Sequence, residues 1–361
     1  MPRLLRPRTR TWAVAAAAAG AALLAWAGLA LAGSFRNGAH GNESMLPRGC
    51  GACHAGHGIP RSPMLPATRN ETCLACHSTA AARTEARTKH LLVGGDDLKD
   101  VSAEFAKASH HTLSTDGQAA SSGFRRVNAA AEAGGTVTCS NCHDGHYLVK
   151  GNAQEDITRV KEIGNARNQA EPEYRLCYRC HGTTTGVGSL NIEQYTRQSN
   201  PSFHPVEATG RNTSVPSLIN PWTVQSYTAC TSCHGSDQAA GPRGPHGSAF
   251  TPILKANYNR DDDQAESAAQ YALCYRCHNR NIVLSEEQGS FRYHKKHMEK
   301  RASCRACHNS HGSKTYTHLI DFDTSIVFAN SNGVRNFVDS GANTGACNLR
   351  CHDKNHVNLG Y

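Results

Sequence analysis

The chain is short of the residues that ordinary protein interiors are made from. Aromatic side chains make up 6% of it and the whole hydrophobic set 39%. A side-chain core for 361 residues would need more Leu, Ile, Val and Phe. Something other than side chains must therefore fill the interior. Methionine is scarce as well: past residue 32 only Met45, Met64 and Met298 remain. Acidic residues are missing from the first 32 positions, and no cysteine is left over once the cysteines are paired by spacing.

The acid-free start reads as a leader. Arg3, Arg6, Arg8 and Arg10 precede an uncharged run from Thr11 to Ala32, and Ala30-Leu31-Ala32 fits the small-residue rule for signal cleavage. Cleavage after Ala32 is the expectation for residues 1–32. The run is also about one membrane span long, so an uncleaved anchor is the alternative. Gly33 stands where a lipoprotein would need Cys. On either reading the rest of the chain is exported: periplasmic, outer-membrane-associated or extracellular.

The cysteines are the dominant feature. All 16 form eight pairs, each followed at once by a histidine. Seven are C-x-x-C-H: Cys50/Cys53/His54, Cys73/Cys76/His77, Cys139/Cys142/His143, Cys177/Cys180/His181, Cys230/Cys233/His234, Cys274/Cys277/His278 and Cys304/Cys307/His308. The eighth, Cys347/Cys351/His352, is stretched to C-x-x-x-C-H. Zinc sites also use C-x-x-C, and exported cysteines also form disulfides, but neither demands His after every second Cys. C-x-x-C-H is the attachment signature of c-type haem. Each thiol adds to one haem vinyl, a single turn of chain spans the two vinyls, and the adjacent His is directed at the iron. The expectation is eight haem c groups, with His54, His77, His143, His181, His234, His278, His308 and His352 as proximal ligands.

Thirteen further histidines exceed the eight distal positions available. His57, His146 and His311 each follow a proximal His by three residues, and His356 follows His352 by four. Such neighbours cannot grip one iron from opposite faces, so they are expected to reach neighbouring haems. His40 and His246 lie in similar Gly-rich turns. Ser109-His110-His111-Thr112-Leu113 aligns with Ser202-Phe203-His204-Pro205-Val206, which selects His111 over His110 and adds His204. His294 and His297 flank a basic turn and complete the distal candidates; His90 and His318 are weaker ones. With Met so rare, bis-His ligation and low reduction potentials are expected.

The basic sequence does not signal nucleic acid. Loss of the four leader arginines lowers the formal net charge from +9 to +5. Eight haems then bring about sixteen propionates, leaving roughly −3 when oxidised and roughly −11 when reduced.

The motifs recur in order. His111 to His181 resembles His204 to His278, and each ends in Leu-Cys-Tyr-Arg-Cys-His, at 176–181 and 273–278. Residues 40–77 and 294–352 look like diverged copies. The expected organisation is a dihaem module at 33–95, a second at 96–190, a third at 191–285 and a C-terminal one at 286–361. Helices are expected at 96–108, 156–164 and 264–277, coil at 182–190 and 235–248, and at most a short strand at 325–328.

On these residues the chain resembles multihaem cytochromes built from the doubled C-x-x-C-H motif, across roughly 38–356. The most specific stretches are Cys139 to His181, Gly244 to His278 and Cys304 to Ser313. The resemblance implies a multihaem cytochrome c fold: mostly irregular, with short α-helices, little β and a haem-packed core. It also implies electron transfer in periplasmic or extracellular respiration, with redox proteins or extracellular acceptors as partners. Similar proteins serve outer-membrane conduits or assemble into conductive polymers. The rival class is a multihaem reductase with one open-coordinate haem. No motif here ends in Lys, the variant that marks a catalytic haem in resembling nitrite reductases.

Overall fold

The computed structural model describes residues 39–59, 62–114, 136–143, 145–146, 157–164, 170–182, 191–289, 291–341 and 344–361. The leader and most of the 182–190 link lie outside them. Regular structure is short. The helices are α1 (Arg69–His77), α2 (Ala80–Thr88), α3 (Cys139–Cys142), α4 (Glu173–His181), α5 (Glu193–Thr196), α6 (Cys230–Cys233), α7 (Arg280–Val283), α8 (His294–Glu299) and α9 (Cys304–Cys307). Four two-stranded pairs join β1 (Gly58–Ile59) to β2 (Ser62–Pro63), β3 (Ser109–His110) to β7 (Gly247–Ser248), β4 (Glu162–Gly164) to β5 (Ala170–Pro172), and β6 (Ser202–Phe203) to β8 (Gly312–Ser313). A three-stranded antiparallel sheet closes the chain: β9 (Asn336–Gly341), β10 (Thr344–Cys351) and β11 (Lys354–Gly360), with β10 central.

The fold is mostly irregular with short helices and small sheets. Side chains alone build little core among the described residues. One cluster of Leu46, Ala86 and Leu92 packs on Cys76; another of Ala306, Val327 and Leu349 packs on Cys307, Cys347 and Cys351. The interior is instead a continuous cavity of 3590 Å³ lined by all sixteen cysteines. A drug-sized pocket holds about 300–1,000 Å³, so this space is several ligands large.

Three expected helices are corrected. Residues 96–108 form turns and a 3-10 segment, Glu104–Ala106, because Asp100 accepts hydrogen bonds from the amides of Ser102 (2.9 Å) and Ala103 (3.3 Å). The described part of 156–164 ends in β4, which pairs with β5 rather than coiling. In 264–277, turns at Ser267 lead to a 3-10 segment, Cys274–Arg276, that buries Tyr271 at 1% exposure. Residues 325–328 make a turn and one bridge, Phe328 to Arg350, and Gly247–Ser248 adds a strand inside the expected 235–248 coil. The C-terminal sheet was not expected, because only one or two positions in each of its strands are buried.

Candidate haem-binding sites

Local sequence shapes each cysteine pair. The third, fifth and seventh pairs sit on one-turn helices (α3, α6, α9) that stop at the second Cys. The following His leaves in extended conformation, with φ/ψ of −112/133° at His143, −95/128° at His234 and −112/135° at His308. The second and fourth pairs end nine-residue helices, α1 and α4, that run through the His. A capping box starts α1: the Glu71 amide donates to Thr68 Oγ1 (3.3 Å) and the Thr68 amide to Glu71 Oε2 (3.0 Å).

The helices interlock through capping across the expected module boundaries. The Cys139 amide donates to Asn70 Oδ1 (2.9 Å), the Thr231 amide to Glu173 Oε1 (3.0 Å), and the Ser303 amide to Asp262 Oδ1 (2.8 Å). In each case a residue placed earlier in the chain satisfies an exposed donor at the start of a later motif helix.

Histidine rings face one another in pairs, each across a gap of one size. His40 faces His77 at 5.9 Å between ring centres, His54 faces His146 at 5.9 Å, and His111 faces His181 at 6.3 Å. His143 faces His246 at 6.0 Å, His234 faces His311 at 6.2 Å, and His294 faces His308 at 6.1 Å. A seventh facing pair, His297 with His356, contains no histidine that directly follows a cysteine pair and stands at 6.3 Å. His204 lies near enough to His278 to help burial depress the His278 pKa to about 4. A metal between two imidazoles, with bonds of ~2 Å each and ~1 Å from each nitrogen to its ring centre, needs ~6 Å. The gaps fit that requirement.

Hydrogen bonds set the tautomers. Nδ1–H donates to a backbone carbonyl from His40 (Gly145, 2.8 Å), His111 (Pro245, 2.7 Å), His234 (Pro252, 2.9 Å), His308 (His318, 3.0 Å) and His297 (Tyr293, 2.7 Å), and from His204 to Ser310. That leaves Nε2 free as a donor atom to a metal, the usual arrangement of ligating histidines. Burial lowers the pKa of His246 and His311 to about 4 and that of His294 to about 3, with neighbouring histidines adding to the shift. Among the described residues no three His, Cys, Asp or Glu side chains converge on one point. The facing histidines come in twos, which matches the two axial positions of a porphyrin iron.

The partner histidines arrive as clasps. His40 donates to the residue before His146, His111 to the residue before His246, and His204 to the residue before His311. The His111 and His204 amides also donate to the His246 and His311 carbonyls, at 3.2 Å each. Each clasp thus delivers two rings to two consecutive cysteine motifs. The clasp carbonyls were missed in the sequence; the signal was the shared His-Gly-Ser at 246–248 and 311–313. Both glycines are needed there. A Cβ on Gly247 would sit 1.8 Å from the Glu104 carbonyl oxygen, and one on Gly312 (φ 154°) 2.1 Å from that of Tyr195.

Consecutive motifs lie close enough for their thiols to influence one another. Cys73 and Cys139 share a hydrogen bond, as do Cys177 and Cys230, and in each pair this raises the first thiol's pKa. Burial, then Cys180 and Cys177, pushes Cys142 up to about 12. Burial, then Cys304 and Cys233, does the same to Cys274. Cys76 is raised by burial and then Cys53, and Cys307 by burial and then Cys351. All eight motifs are therefore linked in chain order.

Not every expected histidine falls into this scheme. His57 is exposed and lies outside the facing pairs and the cavity wall. His352 does not face a histidine; its Nε2 lies 2.6 Å from Asp262 Oδ2. Asp262 was not among the candidate residues read from the sequence.

A buried space walled by eight Cys-Cys-His motifs and opposed imidazoles defines a protein that holds covalent haem c. Two family models match parts of the chain: the doubled CXXCH motif at residues 45–82 and cytochrome c554 and c-prime at residues 229–309. They mark it as a multihaem c-type cytochrome, a class in which haem carries electrons. Neither the curated proteins nor the solved structures contain a match to the chain.

Proposed function

We propose that the chain carries eight c-type haems, each with two histidine ligands, and passes electrons along them in chain order. The observation that carries this reading is the unbroken succession of neighbouring cysteine motifs from Cys50 to Cys351 inside one cavity. Groups attached to adjacent motifs would lie close together, and tunnelling falls steeply with separation, so a serial arrangement would make the chain a wire. Residues Cys50, Cys53, Cys73, Cys76, Cys139, Cys142, Cys177, Cys180, Cys230, Cys233, Cys274, Cys277, Cys304, Cys307, Cys347 and Cys351 supply the thioethers. His146, His40, His246, His111, His311, His204 and His294 serve as distal ligands at the first seven sites in turn. The odd-numbered sites up to the fifth draw this ligand from the following module, so the modules are interdependent parts of one wire.

Bis-His ligation without Met sets low potentials. This suits exchange with redox proteins or extracellular acceptors after export, in periplasmic or extracellular respiration. The decisive measurements are intact mass with a pyridine haemochrome count, and electron paramagnetic resonance of the oxidised protein. Eight haems, all low-spin ferric, are the expected result. A stoichiometric high-spin signal would sink the carrier reading in favour of a reductase with an open iron.

A further inference from the structure

Seven of the histidine pairs contain a histidine that directly follows a cysteine pair; the eighth does not. We infer that at Cys347/Cys351 the axial ligand on the attachment side is His356, opposed by His297, and that Asp262 holds His352 away from the iron. This assignment rests on the eight-haem reading above.

The cause is a change of secondary structure. Where a C-x-x-C pair forms a helical turn, the next residue leaves toward the same side. The stretched pair lies on β10 instead. Cys347 and Cys351 pack with Leu349 in one cluster despite a register shift between Cys347 and Leu349, so the three share one face, and His352, next in the strand's alternation, falls out of step with them. Cys351 pairs with Lys354, which leaves His352 and Asp353 as the two residues of a hairpin turn. Their φ values, 45° and 57°, are those of a type I′ turn, and His352 sits exposed at its tip.

Across the hairpin, Leu349 stands opposite His356. Directly opposed residues share a face, so His356 lies on the cysteine face. Leu349 is 4% exposed and His356 8%, and both line the cavity. The His356 ring faces that of His297 at 6.3 Å, with 26° between planes, inside the range of the other pairs. Nδ1–H of His297 is held by the Tyr293 carbonyl at 2.7 Å, which leaves its Nε2 free. The nitrogen His352 would need for a metal is engaged 2.6 Å from Asp262 Oδ2. The other oxygen of that carboxylate accepts the Ser303 amide at 2.8 Å, so Asp262 is anchored to the start of the seventh motif. The working signature of this site is C-x-x-x-C-H-x-x-x-H, in which the second His ligates.

The test uses the full, haem-loaded protein in its oxidised state, read by electron paramagnetic resonance and visible absorption. His356→Ala and His297→Ala should each convert one haem in eight from low-spin to high-spin. His352→Asn, which keeps a residue tolerant of the turn's positive φ, should leave all eight low-spin. His356→Met guards against misfolding of the alanine variant. It should keep eight low-spin haems and raise the potential of one while seven stay in place. A high-spin haem in His352→Asn, with none in His356→Ala, overturns the assignment. Fewer than eight haems by mass in the unmodified protein overturns the underlying count instead.

Discussion

Gly312→Ala should unfasten the clasp that brings His204 and His311 together. The added Cβ would lie 2.1 Å from the Tyr195 carbonyl oxygen and 2.9 Å from that of Ser202. Real Cβ contacts do not come that close, so β8 must back away from α5 and β6 by roughly 1 Å, a displacement of overpacking type that costs about 1–3 kcal/mol. The movement pulls on the amide of His204, which donates to the His311 carbonyl at 3.2 Å, and on the pairing of Phe203 with Gly312. Loss of these two bonds adds about 1 kcal/mol each. The expected total is about 3–5 kcal/mol, measured by denaturant unfolding of the holoprotein. Low-spin character should weaken at the two haems served by this clasp, on Cys230/Cys233 and Cys274/Cys277. Gly210→Ala is the control: its nearest neighbour is the Phe203 carbonyl oxygen at 3.9 Å, so a change within about 0.5 kcal/mol is expected. If Gly312→Ala is as mild as Gly210→Ala, the clasp does not organise this pair of sites.

Three other outcomes follow from the same geometry. His311→Ala should leave one haem high-spin, whereas His57→Ala, at an exposed position outside the pairs, should leave the spectrum unchanged; equal effects would contradict the pairing. The Glu266 carboxyl is held below its usual range by hydrogen bonds from Arg280, against burial, with the Tyr275 hydroxyl assisting. A carboxylate with a depressed folded pKa stabilises above its unfolded value of ~4.3 and loses that contribution as pH falls. Glu266→Gln should therefore be less stable than the unmodified protein at neutral pH, with the gap closing in acid titrations of unfolding; a gap that persists in acid would contradict this. A variant with every motif cysteine changed to Ala should lack a folded circular dichroism spectrum, because the cavity would have nothing to fill it; a native-like spectrum would refute the haem-packed core.

Attachment chemistry was legible in the sequence because it is local. Two thiols and an imidazole within one turn of chain are enough to specify where a haem is bound, and no distant residue is consulted. The sparse, irregular fold was legible for a related reason: too few apolar side chains are present to demand long helices or sheets. The helices expected at 96–108 and 264–277 failed where Asp100 and Ser267 captured nearby amides that a helix would have used, and the one at 156–164 gave way to pairing with β5.

Partner choice was not local. The sequence supplied more histidines than irons and could only rank them. His146 reaches His54, and His246 reaches His143, because hydrogen bonds between separate modules set the clasps. The stretched motif shows the division most clearly. By itself the sequence placed His352 next to its cysteines and left it as the expected ligand. Only the hairpin shows that strand alternation turns His352 toward Asp262 and cross-strand pairing turns His356 in, the arrangement on which the ligand assignment proposed above rests. What the sequence determined is where haems attach; what tertiary structure decided is which imidazoles face one another, since that depends on which strands and loops meet.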